Sequence, residues 1–116
     1  MRISLVQMHV DAGNPDANFE RAAGRLERAA AGRPDLIVLP EMWNTGYALD
    51  IIDSIADPAG ERTKAFISDF SRRHGVNVIA GSIAERREDG VYNALRIFDR
   101  DGKPAGEYDK IHLFRL

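Results

Sequence analysis

The segment Leu36-Ile37-Val38-Leu39-Pro40-Glu41 constrains the fold more than any other stretch, because four aliphatic residues run into a proline and then a lone carboxylate. A strand with one wet face would alternate, so this unbroken run reads as a strand buried on both faces. Proline cannot donate to a sheet ladder, so Glu41 is delivered at a strand exit. That is where open α/β sheets place their ligand crevices. Ile3 to Met8 has the same character, with Ile3, Leu5, Val6 and Met8 apolar and Gln7 the odd polar member.

Between these strands, Asn14-Pro15 marks a helix start: the amide side chain caps the first turn and proline occupies a position that needs no amide hydrogen. The helix is expected to reach about Ala31. Phe19, Ala22, Ala23, Leu26, Ala29 and Ala30 share one face, and Glu20, Arg21, Glu27 and Arg28 face water. Gly32 and Pro34 end it. With a second strand over Asp35 to Leu39, the first forty residues form a βαβ unit with parallel strands and a right-handed crossover.

From Pro40 to about Gly60 the chain has loop character, mixing the aromatic Trp43 and Tyr47 with Asn44 and Gly46. Glu61 to His74 reads as a second amphipathic helix, apolar at Ala65, Phe66, Ile67 and Phe70, with Gly75 as its left-handed stop. Val76 to Ala80, Ser82 to Glu85, Asn93 to Asp99 and Glu107 to Ile111 read as further strands. Glu88-Asp89-Gly90 and Arg100-Asp101-Gly102-Lys103 are the hairpin turns. The expected class is α/β, in the order βαβα followed by a β-meander, with no repeat, low-complexity tract or linker.

A chain of 116 residues, 44% hydrophobic, suits one small domain that buries about two-thirds of its unfolded surface. A net charge of -2 supplies no cationic field for phosphates, which argues against a nucleic-acid partner. No apolar run approaches the roughly 20 residues of a membrane span, and the N-terminus leads into a strand rather than a signal-peptide core. A soluble cytoplasmic protein with no membrane partner is expected. There is no cysteine, which removes disulfides, thiolate metal sites and any thiol nucleophile from these residues. His9, His74 and His112 lack ligand spacing, and Asp50, Asp53 and Asp57 lack the glycine of a calcium loop. Glycine-rich phosphate loops are missing, and Gly81-Ser82 lacks the pattern of a nucleophile elbow. No metal or cofactor is implied.

Two residues remain as candidates. A general base needs a raised or well-matched pKa and reach to its proton, and Glu41, flanked by Leu39, Pro40, Met42 and Trp43, suits that role if those neighbours desolvate it. Equally, a carboxylate at that place caps a turn or sits in solvent. Lys110, in Tyr108-Asp109-Lys110-Ile111-His112-Leu113-Phe114, either snorkels, forms a structural ion pair, or supplies positive charge to a developing oxyanion. Tyr92-Asn93 is expected to open a strand whose amide ties down the adjacent loop, with a site-supporting role as the lesser alternative.

Gln7-Met8, Leu39-Pro40-Glu41-Met42, Gly46-Tyr47, Gly81-Ser82, Tyr92-Asn93 and Tyr108 to Phe114 together resemble the nitrilase, or carbon-nitrogen hydrolase, superfamily, in order and along the whole chain. The glutamate and lysine motifs lie 69 residues apart, with the helices and meander that the family places between them. The resemblance implies the N-terminal half of an α-β-β-α sandwich in which a Glu-Lys-Cys triad hydrolyses non-peptide carbon-nitrogen bonds of a small amide, in a homodimer or larger oligomer. It makes Glu41 the general base and Lys110 the group that stabilises the tetrahedral intermediate. The ending His112-Leu113-Phe114-Arg115-Leu116 is most similar to the ω-amidase-type branch. Asp109 stands where many members carry a basic residue. The family's cysteine lies further downstream than Leu116, so residues 1–116 are expected to be a partial domain, inactive alone and prone to associate through an uncovered sheet face. A non-catalytic binding module on the same fold is the alternative.

Overall fold

The computed structural model describes residues 1–115, with side chains described as far as Lys110. Nine elements follow in order: β1 (Ile3–Leu5), α1 (Pro15–Ala31), β2 (Leu36–Val38), α2 (Ile52–Ile55), β3 (Asp57–Pro58), α3 (Glu61–His74), β4 (Asn77–Arg87), β5 (Gly90–Phe98) and β6 (Pro104–Arg115). The sheet runs β1-β2-β4-β5-β6, with β3 pairing β4 beside that path. The β1-β2 and β2-β4 pairs are parallel, and the β4-β5 and β5-β6 pairs are antiparallel. This is the expected βαβα unit followed by a meander.

Both long helices form for local reasons. Asn14 Oδ1 accepts the Ala17 amide at 3.2 Å, and Pro15 occupies the first turn of α1. The left-handed step after α1 falls on Arg33 (φ 52) rather than on Gly32, whose amide still bonds Ala29 within a last tight turn. At α3, Gly75 takes the left-handed conformation at φ 60 as expected. Asp57 accepts the Arg62 amide, the Thr63 amide and the Thr63 hydroxyl. It neutralises the amides that α3 leaves open at its start.

Strand register assigns the two sheet faces. Ile37, Val78 and Phe98 lie side by side on one face and are buried beneath α1 and α3, in a cluster with Phe19, Leu26, Ile67 and Phe70. Their sequence neighbours Val38, Ile79 and Ile97 lie on the opposite face with Leu5, which is 72% exposed. The two long helices, α1 and α3, therefore cover one face only. The chain from Met42 to Ala56 folds over the far end of the other face, where Met42, Ile52 and Ala56 bury Ala84 and Val91.

Several boundaries differ from the sequence reading. The loop over 40–60 contains α2 and β3, short elements whose order comes from contacts with β4 rather than from their own sequence. The strands expected over 76–80 and 82–85 are one strand, β4, with a register shift between Ile79 and Ser82. β6 extends well beyond Glu107 to Ile111 at both ends, while β1 stops at Leu5. The side chains of His112 to Leu116, which carry the ω-amidase-like ending, lie outside the described residues.

Candidate active site

The β4 irregularity places Glu41. Gly81 sits at φ 64, and a Cβ there would lie 2.1 Å from the Pro40 carbonyl oxygen. Only glycine permits both that backbone conformation and that approach. The chain leaving β2 therefore passes tightly over the bulge. Ser82 then holds it from both directions: its amide donates to Pro40 O at 3.3 Å, and its hydroxyl accepts the Met42 amide at 2.9 Å. Met42 is itself held at φ 50 and fully buried, an unfavourable conformation for a side-chain-bearing residue that persists because its surroundings fix it.

The next residues are stapled to β4. Trp43 Nε1 donates to Ala80 O at 2.8 Å, and the Asn44 side chain exchanges two hydrogen bonds with Ala84, imitating a neighbouring strand. Trp43 also packs edge-on against Phe19, with ring centroids 4.7 Å apart. Backbone and side-chain packing on both sides thus fix the direction in which Glu41 leaves β2.

Lys110 reaches the same place from the other end of the chain. On β6, Asp109 pairs with Ala94 and Ile111 pairs with Asn93, so Lys110 is the extra residue of a bulge. Bulges re-aim side chains, and this one directs the lysine to the uncovered face. Its Nζ lies 3.2 Å from Glu41 Oε1. The same oxygen accepts a hydrogen bond from Asn93 Nδ2 at 3.1 Å, and the Tyr47 hydroxyl donates to the same carboxylate. Glu41 and Lys110 share the rim of one depression, floored by Val38, Ile79 and Leu95.

The electrostatics correct one expectation. The Glu41 side chain is 48% exposed rather than desolvated, and its pKa is lowered. Hydrogen bonds from Tyr47, Asn93 and Lys110 favour the ionised form and outweigh the small effect of burial. The Tyr47 phenol is correspondingly raised, by partial burial and by the carboxylate it serves. Glu41 is therefore an anion at neutral pH.

Asn93 and Tyr47 also bond the Glu41 carboxylate; the sequence places both in the motifs that resemble the family, without marking either as a catalytic candidate. Asn93 was expected to tie down a loop, yet it is fully buried and bonds Glu41 across 52 residues of chain. Its Oδ1 is buried without a partner among the described residues, so its orientation is decided by what its amide nitrogen donates to. Separations of this length leave no local pattern to detect. Asp109, adjacent to Lys110, faces away from the site and pairs with Arg87 on the helix side of the sheet.

No helix among the described residues is long and apolar enough to cross a membrane. Residues 2–116 match the family described as carbon-nitrogen hydrolase. The chain is 38% identical over 114 residues to the 2-oxoglutaramate amidase of Bacillus subtilis, covering 98% of this chain and 44% of that protein. It is 35% identical over 119 residues to the chloroplastic omega-amidase of Arabidopsis thaliana, covering 98% and 32%. Among solved structures it is similar to Saccharomyces cerevisiae Nit3, a member of branch 10 of the nitrilase superfamily. There the TM-score is 0.84 at 28% identity, covering 97% of this chain and 44% of that one. A carbon-nitrogen hydrolase superfamily protein from Xanthomonas campestris gives 0.82 at 37% identity, covering 97% and 41%. The chain thus spans less than half the length of these relatives. Within that span its fold is similar to theirs, its sequence matches the family over residues 2–116, and the chain belongs to the carbon-nitrogen hydrolase family.

Proposed function

We propose that these residues are the N-terminal part of an amidase that hydrolyses a small amide to ammonia and a carboxylic acid, with Glu41 as proton carrier and Lys110 as the charge that stabilises the tetrahedral intermediate. The observation that carries this reading is the convergence of Lys110 Nζ and Asn93 Nδ2 on one oxygen of Glu41, at the rim of an open depression. An ionised carboxylate beside a fixed ammonium supplies a proton acceptor and an oxyanion partner within one site. The small-amide class is supported by the relatives described as 2-oxoglutaramate amidase and omega-amidase.

The reaction needs a nucleophile, and these 116 residues contain no cysteine. In the proposed enzyme a thiol comes from the length that the relatives have in addition. Glu41 takes its proton, and the thiolate adds to the amide carbon. Lys110 holds the resulting oxyanion, and the proton on Glu41 passes to the nitrogen as the carbon-nitrogen bond breaks. Ammonia leaves a thioester. Water then gives a proton to Glu41 and adds to the thioester carbon; the carbon-sulfur bond breaks, and the thiolate recovers the proton as the acid departs. The lowered pKa of Glu41 keeps it in the accepting form. Covering the sheet face would withdraw water and strengthen it as a base.

Glu41→Gln in the complete enzyme tests the proposal. Ammonia release from small amides is expected to fall by at least about 100-fold, while circular dichroism and thermal unfolding stay unchanged. Undiminished turnover in a folded variant would remove Glu41 from the mechanism. Failure of the unaltered enzyme to release ammonia from any small amide, while it still binds amides, would favour a non-catalytic binding module.

A further inference from the structure

Lys110 occupies a position that the sheet itself controls weakly. Among the described residues β6 is the last strand of the β1-β2-β4-β5-β6 path and is paired on one side only, and as a bulged residue Lys110 has no partner in the β5-β6 register. A four-carbon side chain on such a backbone has no local reason to keep its ammonium 3.2 Å from Glu41.

The residue before it is held firmly. Asp109 points to the helix face and accepts two hydrogen bonds from Arg87, each 2.7 Å long. Arg87 is fixed in turn: its Nε donates to Glu85 at 2.8 Å, and its guanidinium lies 4.3 Å from the centre of the Tyr92 ring. Glu85 is buried and paired with Arg96 on β5. An ionic strap therefore runs from β4 to β6 across β5 and ends one residue before the bulge. A forked guanidinium bound at two points resists rotation as well as separation.

We propose that Arg87 and Asp109 are positioning residues for Lys110: the strap anchors the N-terminal side of the bulge so that the lysine crosses the sheet edge at one angle and stays in contact with Glu41. The proposal deepens the role given to Lys110 above. The Arg87–Asp109 bond faces away from the depression, so neither residue touches substrate.

The chain's lysines are Lys64, Lys103 and Lys110, which makes residue-resolved amine labelling a direct readout. The protein is exposed briefly to formaldehyde and cyanoborohydride, and methylation at each lysine is quantified by mass spectrometry. In Asp109→Asn, Lys110 is expected to label several-fold faster while Lys64 and Lys103 are unchanged. Arg87→Met should act alike, and Asp109→Glu should restore slow labelling. An unchanged Lys110 rate in Asp109→Asn would overturn the proposal. So would a parallel rise at all three lysines, which marks general loosening of the fold. The measurement needs no turnover, so failure of the amidase reading leaves this result standing, and failure of the strap leaves Glu41→Gln informative. In the complete enzyme, Asp109→Asn should lower kcat with little change in KM, because Lys110 acts on the intermediate rather than on bound substrate.

Discussion

Ile37 and Val38 are consecutive, aliphatic and in the same strand, yet Ile37 is fully buried under α1 and α3 while Val38 floors an open depression. The same split runs across the sheet, separating Val78 from Ile79 and Phe98 from Ile97. On the covered face, apolar strand residues meet the apolar stripes of two helices. On the other, equally apolar Val38, Ile79 and Leu95 lie beside Glu41 and Lys110, and the same face carries Leu5 and Tyr108, the latter at 65% exposure. Composition does not distinguish the faces; the elements available to pack on them do. The contrast explains why the ionised pair survives. Both side chains keep their charge there because water still reaches them: the Lys110 and Glu41 side chains are 37% and 48% exposed.

The largest test of this contrast removes a side chain from the covered face. Phe70→Ala should cost about 3–5 kcal/mol, measured by urea unfolding followed through Trp43 fluorescence. A loss below about 1 kcal/mol would show that the helix layer does not carry the stability assigned to it.

A smaller effect is expected from acid, through the buried end of the strap. Burial pushes Glu85 up, but hydrogen bonds from Arg96 and Arg87 outweigh it and leave its native pKa below the ordinary value. The unfolded chain then binds the proton more readily than the native one. The stabilisation is present above about pH 4.3 and is lost as pH falls through the lowered native value. The urea midpoint should therefore drop on acidification below that point, and Glu85→Gln should flatten the drop. A slope that survives the substitution would place the acid sensitivity elsewhere.

The smallest stability effect belongs to the uncovered face. Leu5→Ser should change unfolding free energy by no more than about 0.5 kcal/mol, yet reduce self-association in sedimentation velocity, because a broad exposed apolar surface favours contact between copies. If this substitution cost as much as Phe70→Ala, the two faces would not differ as described.

Much of the fold was legible because its signals are local. The ends of α3 followed from the helical period and from Gly75, and the parallel βαβ unit followed from two apolar runs around one amphipathic stripe. The short α2 and β3 escaped notice because four and two residues are too few for a period to show. Glu41 stood out as the one charge after an apolar run, but the resemblance to a family, not spacing, joined it to Lys110. Its exposure was not legible: apolar sequence neighbours suggest desolvation, whereas Met42 and Trp43 turn inward and leave the carboxylate to Tyr47, Asn93 and solvent.

By itself the sequence determined the alternation of helix and strand, the exit of a carboxylate from β2 and the lack of a thiol, since each is a property of neighbouring residues or of composition. Tertiary structure alone decided that Gly81 lets the Pro40 carbonyl pass, that Asn93 and Lys110 reach the same oxygen, and that Asp109 turns away to Arg87. These outcomes depend on register and on a bulge in each of two strands, and register is set by pairing between distant segments. A shift of one residue there moves a side chain to the opposite face.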